Sequence, residues 1–201
     1  MEKVTAFLPC RRGSVRVPQK NIRPFGGYQH GLIQLKLEQL KHAETIAEIV
    51  LSTNDDAIID YAKSCNEPRL RIHKRAEHLS SSETSTDELV AHALDLIPDG
   101  HIAWTHVTSP FMSAARMDEA VNKYFEGMRS GHDSLMTVTA IHGFIWDEHG
   151  PTNYDRNRER WPRTQTIKPL YEINSAVFLS SASNYRQLND RIGINPLLHD
   201  I

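Results

Sequence analysis

The stretch Leu8-Pro-Cys-Arg-Arg-Gly-Ser-Val-Arg-Val-Pro-Gln-Lys-Asn21 concentrates most of the chemistry that the sequence offers. Gly13 lets backbone N–H groups approach an oxyanion closely, and Ser14 adds a hydroxyl donor. Arg11, Arg16 and Lys20 supply the positive charge a triphosphate needs. The arginines do so through planar, bidentate hydrogen bonding and the lysine as a compact point charge. Lys3, Arg11, Arg12, Arg16, Lys20, Arg23 and Lys36 stand between Lys3 and Leu37 with no Asp or Glu among them, and five of the seven lie from Arg11 to Arg23. A second cluster, Arg156, Arg158, Arg160, Arg163 and Lys168, comes late in the chain. The plain reading of each cluster is a solvated basic loop; the functional reading is that each meets an anion. Neither Gly-x-x-x-x-Gly-Lys-Ser/Thr nor Gly-x-Gly-x-x-Gly occurs, so P-loop hydrolysis and dinucleotide redox chemistry both lose support.

The surrounding periodicities indicate what must hold these residues. Val4 to Leu8 is a short apolar run ended by Pro9, which predicts a buried strand feeding the basic loop. Ile33, Leu37 and Leu40 give helical spacing through His42. Ile49–Leu51 is a strand core, and Thr53 followed by Asp56 predicts a helix start for Ile58 to Ser64. Leu70 to His73 is a weaker strand. Ser85 with Glu88 forms a capping-box pattern ahead of Leu89, Val90, Ala93, Leu94 and Ile97. Ile102 to Val107 reads as a strand, Met117 to Met128 as a helix, and Ser134 to Ile141 as a strand. This alternation predicts an α/β domain with a mostly parallel sheet covered on both faces, which puts the basic loop at the carboxyl end of a strand, where such sheets bind ligands. The rhythm breaks from Phe144 to Lys168, a polar and aromatic stretch, and a returning strand follows from Ile173 to Leu179. An irregular insertion of that length fits a lid or an oligomerisation arm.

The 201 residues suit a single domain. With 23 Lys plus Arg against 25 Asp plus Glu, the formal charge is −2, without the basic excess of a dedicated nucleic-acid binder. No apolar run is long enough to span a bilayer, and the N-terminus lacks a secretory leader. Cys10 and Cys65 have no metal spacing and read as reduced thiols in a cytoplasmic protein. The eleven histidines form no His-Glu-x-x-His, and no Gly-x-Ser-x-Gly elbow supports a serine hydrolase.

The N-terminal loop resembles the CTP-binding loop of the acylneuraminate cytidylyltransferases, the CMP-sialic acid synthetase family, whose pattern is close to Pro-Ala-Arg-Gly-Gly-Ser-Lys-x-x-Pro-x-Lys-Asn. The resemblance extends in order through Asn21-Ile-Arg-Pro-Phe-Gly-Gly27, Leu51-Ser-Thr-Asn-Asp55, Thr108-Ser-Pro110, Arg163-Thr-Gln165 and Tyr171-Glu-Ile-Asn174. It implies a Rossmann-like nucleotidyltransferase fold with residues 142–172 as an inserted dimerisation arm or lid. It further implies a homodimer and Mg²⁺-dependent transfer of CMP from CTP to an acidic 2-keto sugar. Carried over by position, Arg11, Gly13, Ser14, Lys20 and Asn21 would hold the CTP phosphates, with Arg11 and Lys20 acting in catalysis. Arg12 and Val15 depart from the family's glycine and lysine, and Arg16 would replace the lost charge in an Arg-x-Pro-x-Lys setting that also resembles CMP-Kdo synthetases. Arg75 resembles the cytosine-contacting arginine, and Ser82 lies near the matching nucleotide loop. On the sugar side the counterparts are Thr108, Arg163, Gln165 and Asn174, partly across a subunit boundary, with His106 in place of the family's glutamine.

The family's metal-binding Asp-x-Asp follows its final strand. Asp190 and Asp200 lack that context, so no metal ligands are assigned, and Asp190-Arg191-Ile192-Gly193 reads as a turn. The mechanism this implies is attack of a sugar anomeric hydroxyl on the α-phosphorus of CTP with pyrophosphate leaving. The alternatives are a CMP-Kdo-type synthetase, a non-catalytic CTP-binding relative and, more remotely, a nucleic-acid-binding module.

Overall fold

The computed structural model describes residues 2–13, 17–81 and 83–201. Strand β1 (Val4–Pro9) alternates its side chains between two cores: Val4, Ala6 and Leu8 point to one, Phe7 to the other. Helix α1 (Gly31–His42) packs Ile33, Leu37 and Leu40 on the first of these. Strand β2 (Glu48–Thr53), helix α2 (Asp56–Ser64), strand β3 (Leu70–Lys74) and helix α3 (Thr86–Leu96) follow. Ser85 Oγ accepts from the Glu88 N–H, and the Glu88 carboxylate accepts from the Ser85 N–H, so the expected capping box starts α3. The cap of α2 is Asp55, whose carboxylate accepts from the Ala57 N–H at 3.1 Å; Thr53, the expected start, ends β2 and accepts from the Asp55 N–H.

Strand β4 (His101–Thr105), helix α4 (Ala114–Arg129) and strand β5 (Ser134–Ile141) come next. A short hairpin, β6 (Trp146–Asp147) with β7 (Gly150–Pro151), and a single 3₁₀ turn at Thr164–Thr166 punctuate the insertion. Strand β8 (Leu170–Ser181), helix α5 (Ala182–Leu188) and strand β9 (Pro196–Asp200) complete the chain.

Among the described residues the main sheet has seven strands in the order β3-β2-β1-β4-β8-β5-β9, with β8 alone antiparallel to its neighbours. Helices α1, α2 and α4 cover one face, and α3 and α5 the other. Successive strands move outward from β1 to β2 to β3, whereas β4 lies on the other side of β1. The order therefore reverses between β1 and β4, and a crevice opens at such a switch point outside the carboxyl ends of the strands. The basic loop after β1 leaves the sheet there.

β8 is bulged. Met136 pairs with Phe178 and Val138 with Ile173, so the stretch 174–177 stands opposite Thr137 alone. Ser175 takes a left-handed backbone (φ 58°), and the Thr137 hydroxyl fills the gap in the ladder, accepting from Val177 N–H at 3.0 Å and donating to its carbonyl at 3.2 Å. The bulge brings Asn174 to the same end of the sheet as the basic loop. Among the described residues no helix is long and apolar enough to cross a membrane.

Candidate active site

The loop after β1 is fixed to its neighbours by hydrogen bonds from two asparagines. Cys10 N–H continues the ladder to Ser52 O at 2.9 Å. The next turn is caught by Asn54, just past β2, whose Oδ1 accepts from Arg12 N–H at 2.8 Å while its Nδ2 donates to Glu77 at 3.0 Å. Asn21 Nδ2 donates to Arg11 O at 3.1 Å, and Asn21 O accepts from Ile33 N–H at 2.8 Å in the first turn of α1. Asn21 is buried, and its Oδ1 has no partner among the described residues. Gly13 has φ +80° with open space where a Cβ would stand, a left-handed turn that leaves its backbone approachable. Ser14 and Arg16, expected to hold phosphate, lie outside the described residues, as does Ser82.

Arg75 is the most unusual cation here. It is 3% exposed, its backbone N–H donates to Thr53 O, and its Nε has no hydrogen-bond partner among the described residues. Burial lowers its pKa from the ordinary arginine value, and the neighbouring Arg11 charge pushes the same way. A buried N–H left without an acceptor is costly unless a ligand supplies one. Burial drives the Cys10 thiol beside it up to about 12, against the lowering pull of Arg75 and Lys20, so Cys10 is an inert packing group. Behind this wall Ser52 Oγ and His92 Nε2 lie 2.8 Å apart; burial, together with the charges of His73 and Arg75, holds His92 down to about 4, so it is neutral.

On the other side of β1, the segment after β4 forms the rim of a second space. Lys36 of α1 is fully buried and donates from Nζ to Ser109 O at 2.9 Å and Met112 O at 3.3 Å. Gln39, one turn on, donates to Pro110 O at 2.7 Å. Burial lowers the Lys36 pKa to about 7. Thr105 Oγ1 donates to Ala176 O at 2.7 Å, joining β4 to the bulge. The resulting cleft, about 610 Å³, is lined by Thr108, Ser109, Pro110, Phe111, Met112, Arg116, Asn174, Ala176 and Ile201. Asn174 is held at its edge, accepting from Ala176 N–H and donating to Thr139 Oγ1, both at 3.2 Å.

The expected residues thus fall into three groups. Arg11, Gly13, Lys20, Asn21 and Arg75 belong to the β1 loop and its wall. Thr108 and Asn174 share the cleft, which His106 does not line. Burial, with the charges of Arg191, Lys36 and Lys20, holds the His106 ring down to about 4, so it is neutral at physiological pH. Arg163 and Gln165 are exposed at the 3₁₀ turn of the insertion, apart from the cleft lining of the same chain. Around them Phe144, Trp146, Tyr154 and Trp161 pack edge to face or tilted, and the Arg156 guanidinium lies 5.2 Å from the Trp146 ring centre and 5.8 Å from that of Trp161. Among the described residues no three His, Cys, Asp or Glu side chains come together as a metal would require.

Sequence reasoning missed Lys36, Gln39 and Arg116. Lys36 was one cation in a basic run, and its partners lie 73 and 76 residues away. Its place beside Ile33, Leu37 and Leu40 on the buried side of α1 was the available signal, since a lysine there needs acceptors from the packed interior.

Comparison with known proteins accords with this arrangement. Residues 5–193 match the family described as Cytidylyltransferase. The chain is 26% identical over 129 residues to pseudaminic acid cytidylyltransferase of Campylobacter jejuni, covering 62% of this chain and 54% of the relative. It is 25% identical over 194 residues to N-acylneuraminate cytidylyltransferase of Streptococcus agalactiae, covering 91% of this chain and 44% of the relative. The chain therefore spans about half the length of the curated relatives it matches. Among solved structures, CMP:2-keto-3-deoxy-manno-octonic acid synthetase complexed with CTP superposes with a TM-score of 0.67 at 17% identity, over 99% of this chain and 90% of that one. That likeness is one of fold, the Rossmann-like nucleotidyltransferase fold. With its strand order, its anchored loop at the switch point and a family match over nearly its whole length, the chain belongs to the cytidylyltransferase family, a family of nucleotidyltransferases.

Proposed function

We propose that this protein transfers the cytidylyl group of CTP to an acidic, sialic-type sugar. The anomeric oxygen forms a bond to the α-phosphorus, the bond from that phosphorus to the β-phosphate bridging oxygen breaks, pyrophosphate leaves, and the hydroxyl proton passes to solvent. The observation that carries the reading is the buried Arg75, unpartnered at Nε among the described residues, with Arg11 close by in the loop that Asn54 and Asn21 hold in place. The site therefore carries polar capacity that the described residues do not use. Arg11 and Lys20 bind the triphosphate and spread the charge that develops as pyrophosphate departs, while Gly13 and Asn21 shape the loop around it. Thr108 and Asn174 bind the acceptor sugar in the adjoining cleft, Arg163 and Gln165 reach it from a second subunit, and His106 backs it as a neutral ring.

Mg²⁺ would lend charge neutralisation to such a transfer. The described residues do not form a site for it. The carboxylates nearby are engaged elsewhere: Asp55 caps α2, Glu77 accepts from Asn54, and Asp200 accepts from Ala140 N–H at 2.9 Å. No step is therefore assigned to a metal. The exposed aromatic cluster of residues 142–172, with Trp161 at 66% exposure, is proposed to pack against a second copy, which sedimentation analysis would detect as a dimer.

The test is pyrophosphate release from CTP across a panel of sugar acids, including N-acetylneuraminate, pseudaminate and Kdo. Release with a nonulosonate supports the reading, and release with Kdo alone moves it to the CMP-Kdo type. CTP binding without release from any acid would make the protein a non-catalytic nucleotide binder.

A further inference from the structure

We infer that Arg116 is the specificity residue of the cleft, binding the carboxylate of the acceptor. This rests on the proposed function and adds a residue that the family's loop motifs do not mark. Among the described residues lining the cleft, Arg116 is the one charged side chain. Its guanidinium makes no hydrogen bond or ion pair among the described residues. Glu119, one turn along α4, reaches instead towards His199 Nε2 at 3.9 Å.

The other cations near the rim are spent or neutral. The Lys36 amine sits behind the wall, its hydrogens directed to Ser109 O and Met112 O. The His106 ring is neutral and outside the cleft. Arg163 is on the insertion. The side chains lining the cleft include one cation and no Asp or Glu, which suits an anion, and a guanidinium matches a carboxylate bidentately. Its wall is already rigid, because Lys36 and Gln39 hold the carbonyls of Ser109, Pro110 and Met112 from behind and the Thr105 hydroxyl holds the bulge. Little ordering is therefore left to do when the acid arrives. Asn174 and Thr108 share the lining with Arg116 and supply neutral polar groups for the hydroxyls of the same molecule.

The experiment is calorimetric titration of the full chain, saturated with CTP, with N-acetylneuraminate, Kdo and the methyl ester of each. Wild type is expected to prefer an acid over its ester by about tenfold or more. Arg116 is exposed, so Arg116→Met keeps the fold; it should abolish that preference and weaken binding of the acid about tenfold with CTP affinity unchanged. Arg116→Lys should recover part of it. Retention of the preference in Arg116→Met, its loss in Arg163→Met instead, or no binding of either acid by wild type would overturn the assignment. Acid binding at Arg116 without pyrophosphate release in the parallel assay would leave this inference standing and overturn the catalytic one.

Discussion

Lys36 makes the stability of this protein depend on pH in a direction that can be worked out in advance. Its pKa falls from 10.5 to about 7 because the ammonium is buried, so between those values the unfolded chain holds a proton that the folded chain has released. A group with a depressed basic pKa penalises folding most at and below its folded pKa, and the penalty fades as pH rises toward the unfolded one. From pH 7 to pH 9 the folded protein should gain about 2 kcal/mol from this residue alone. The neutral amine still has two hydrogens for the two carbonyls, so the gain does not cost the hydrogen bonds to Ser109 and Met112. Other perturbed groups interfere little in this window: the lowered His73, His92 and His106 titrate below it, and the raised Cys10 thiol, which acts in the opposite sense as pH nears 9, is present in both proteins and cancels in their comparison. Lys36→Met has similar volume and no proton to lose. Urea unfolding of both proteins at pH 7 and pH 9 gives the difference directly. The wild type should gain about 2 kcal/mol relative to the variant; parallel responses, agreeing within about 0.5 kcal/mol, would show that Lys36 is hydrated and fully charged.

Three further substitutions probe the wall of the loop. Asn54→Ala strips Arg12 N–H and Glu77 of their partner, and should cost about 1–3 kcal/mol and weaken CTP binding; an unchanged CTP Kd by calorimetry would separate the loop from the nucleotide. Arg75→Met removes a buried charge that lacks a partner at Nε among the described residues, so the ligand-free Tm should hold or rise while CTP ceases to raise it. A CTP-induced Tm shift equal to that of wild type would refute the role. Gly31→Ala places a Cβ 2.0 Å from Arg23 O in a backbone at φ +63°, and should lower Tm by roughly 5 °C or more. A Tm within a degree of wild type would mean that the turn into α1 is free to move.

The fold was legible wherever one periodicity ran long enough. β1, β2, β4 and the apolar stripes of α1, α3 and α4 lie where the spacing predicts, because each buries a full face and tolerates no slip in register. α5 and β9 escaped notice for physical reasons. α5 has seven residues of mostly polar type, of which only Ala182 and Tyr185 are buried. β9 is an edge strand that starts at Pro196 and buries one residue fully, His199, so neither alternation nor hydrophobicity marks it. The loop side of the site could be read because its chemistry is contiguous: Arg11, Gly13, Lys20 and Asn21 fall within eleven positions. The cleft could not, since Lys36, Thr108, Arg116 and Asn174 become neighbours only through the sheet order and the β8 bulge.

That sheet order gives α1 a double duty. Its first turn takes the carbonyl of Asn21, the residue that also fixes Arg11 O, while Lys36 and Gln39 in its middle hold the carbonyls of Ser109, Pro110 and Met112. Twelve residues make a rod about 18 Å long, so both loops are referenced to one element that cannot bend without losing buried hydrogen bonds. If the two loops hold donor and acceptor, as proposed, their separation is set by helix geometry rather than by loop conformation. In-line transfer loses rate steeply when reacting atoms are misplaced by about 1 Å, and a helix holds that tolerance where two independent surface loops would drift past it. The buried lysine follows from the same requirement. A carbonyl-rich loop packed on a helix needs donors from that helix, and a long amine reaching two carbonyls satisfies them without introducing an acid beside the site proposed for the triphosphate.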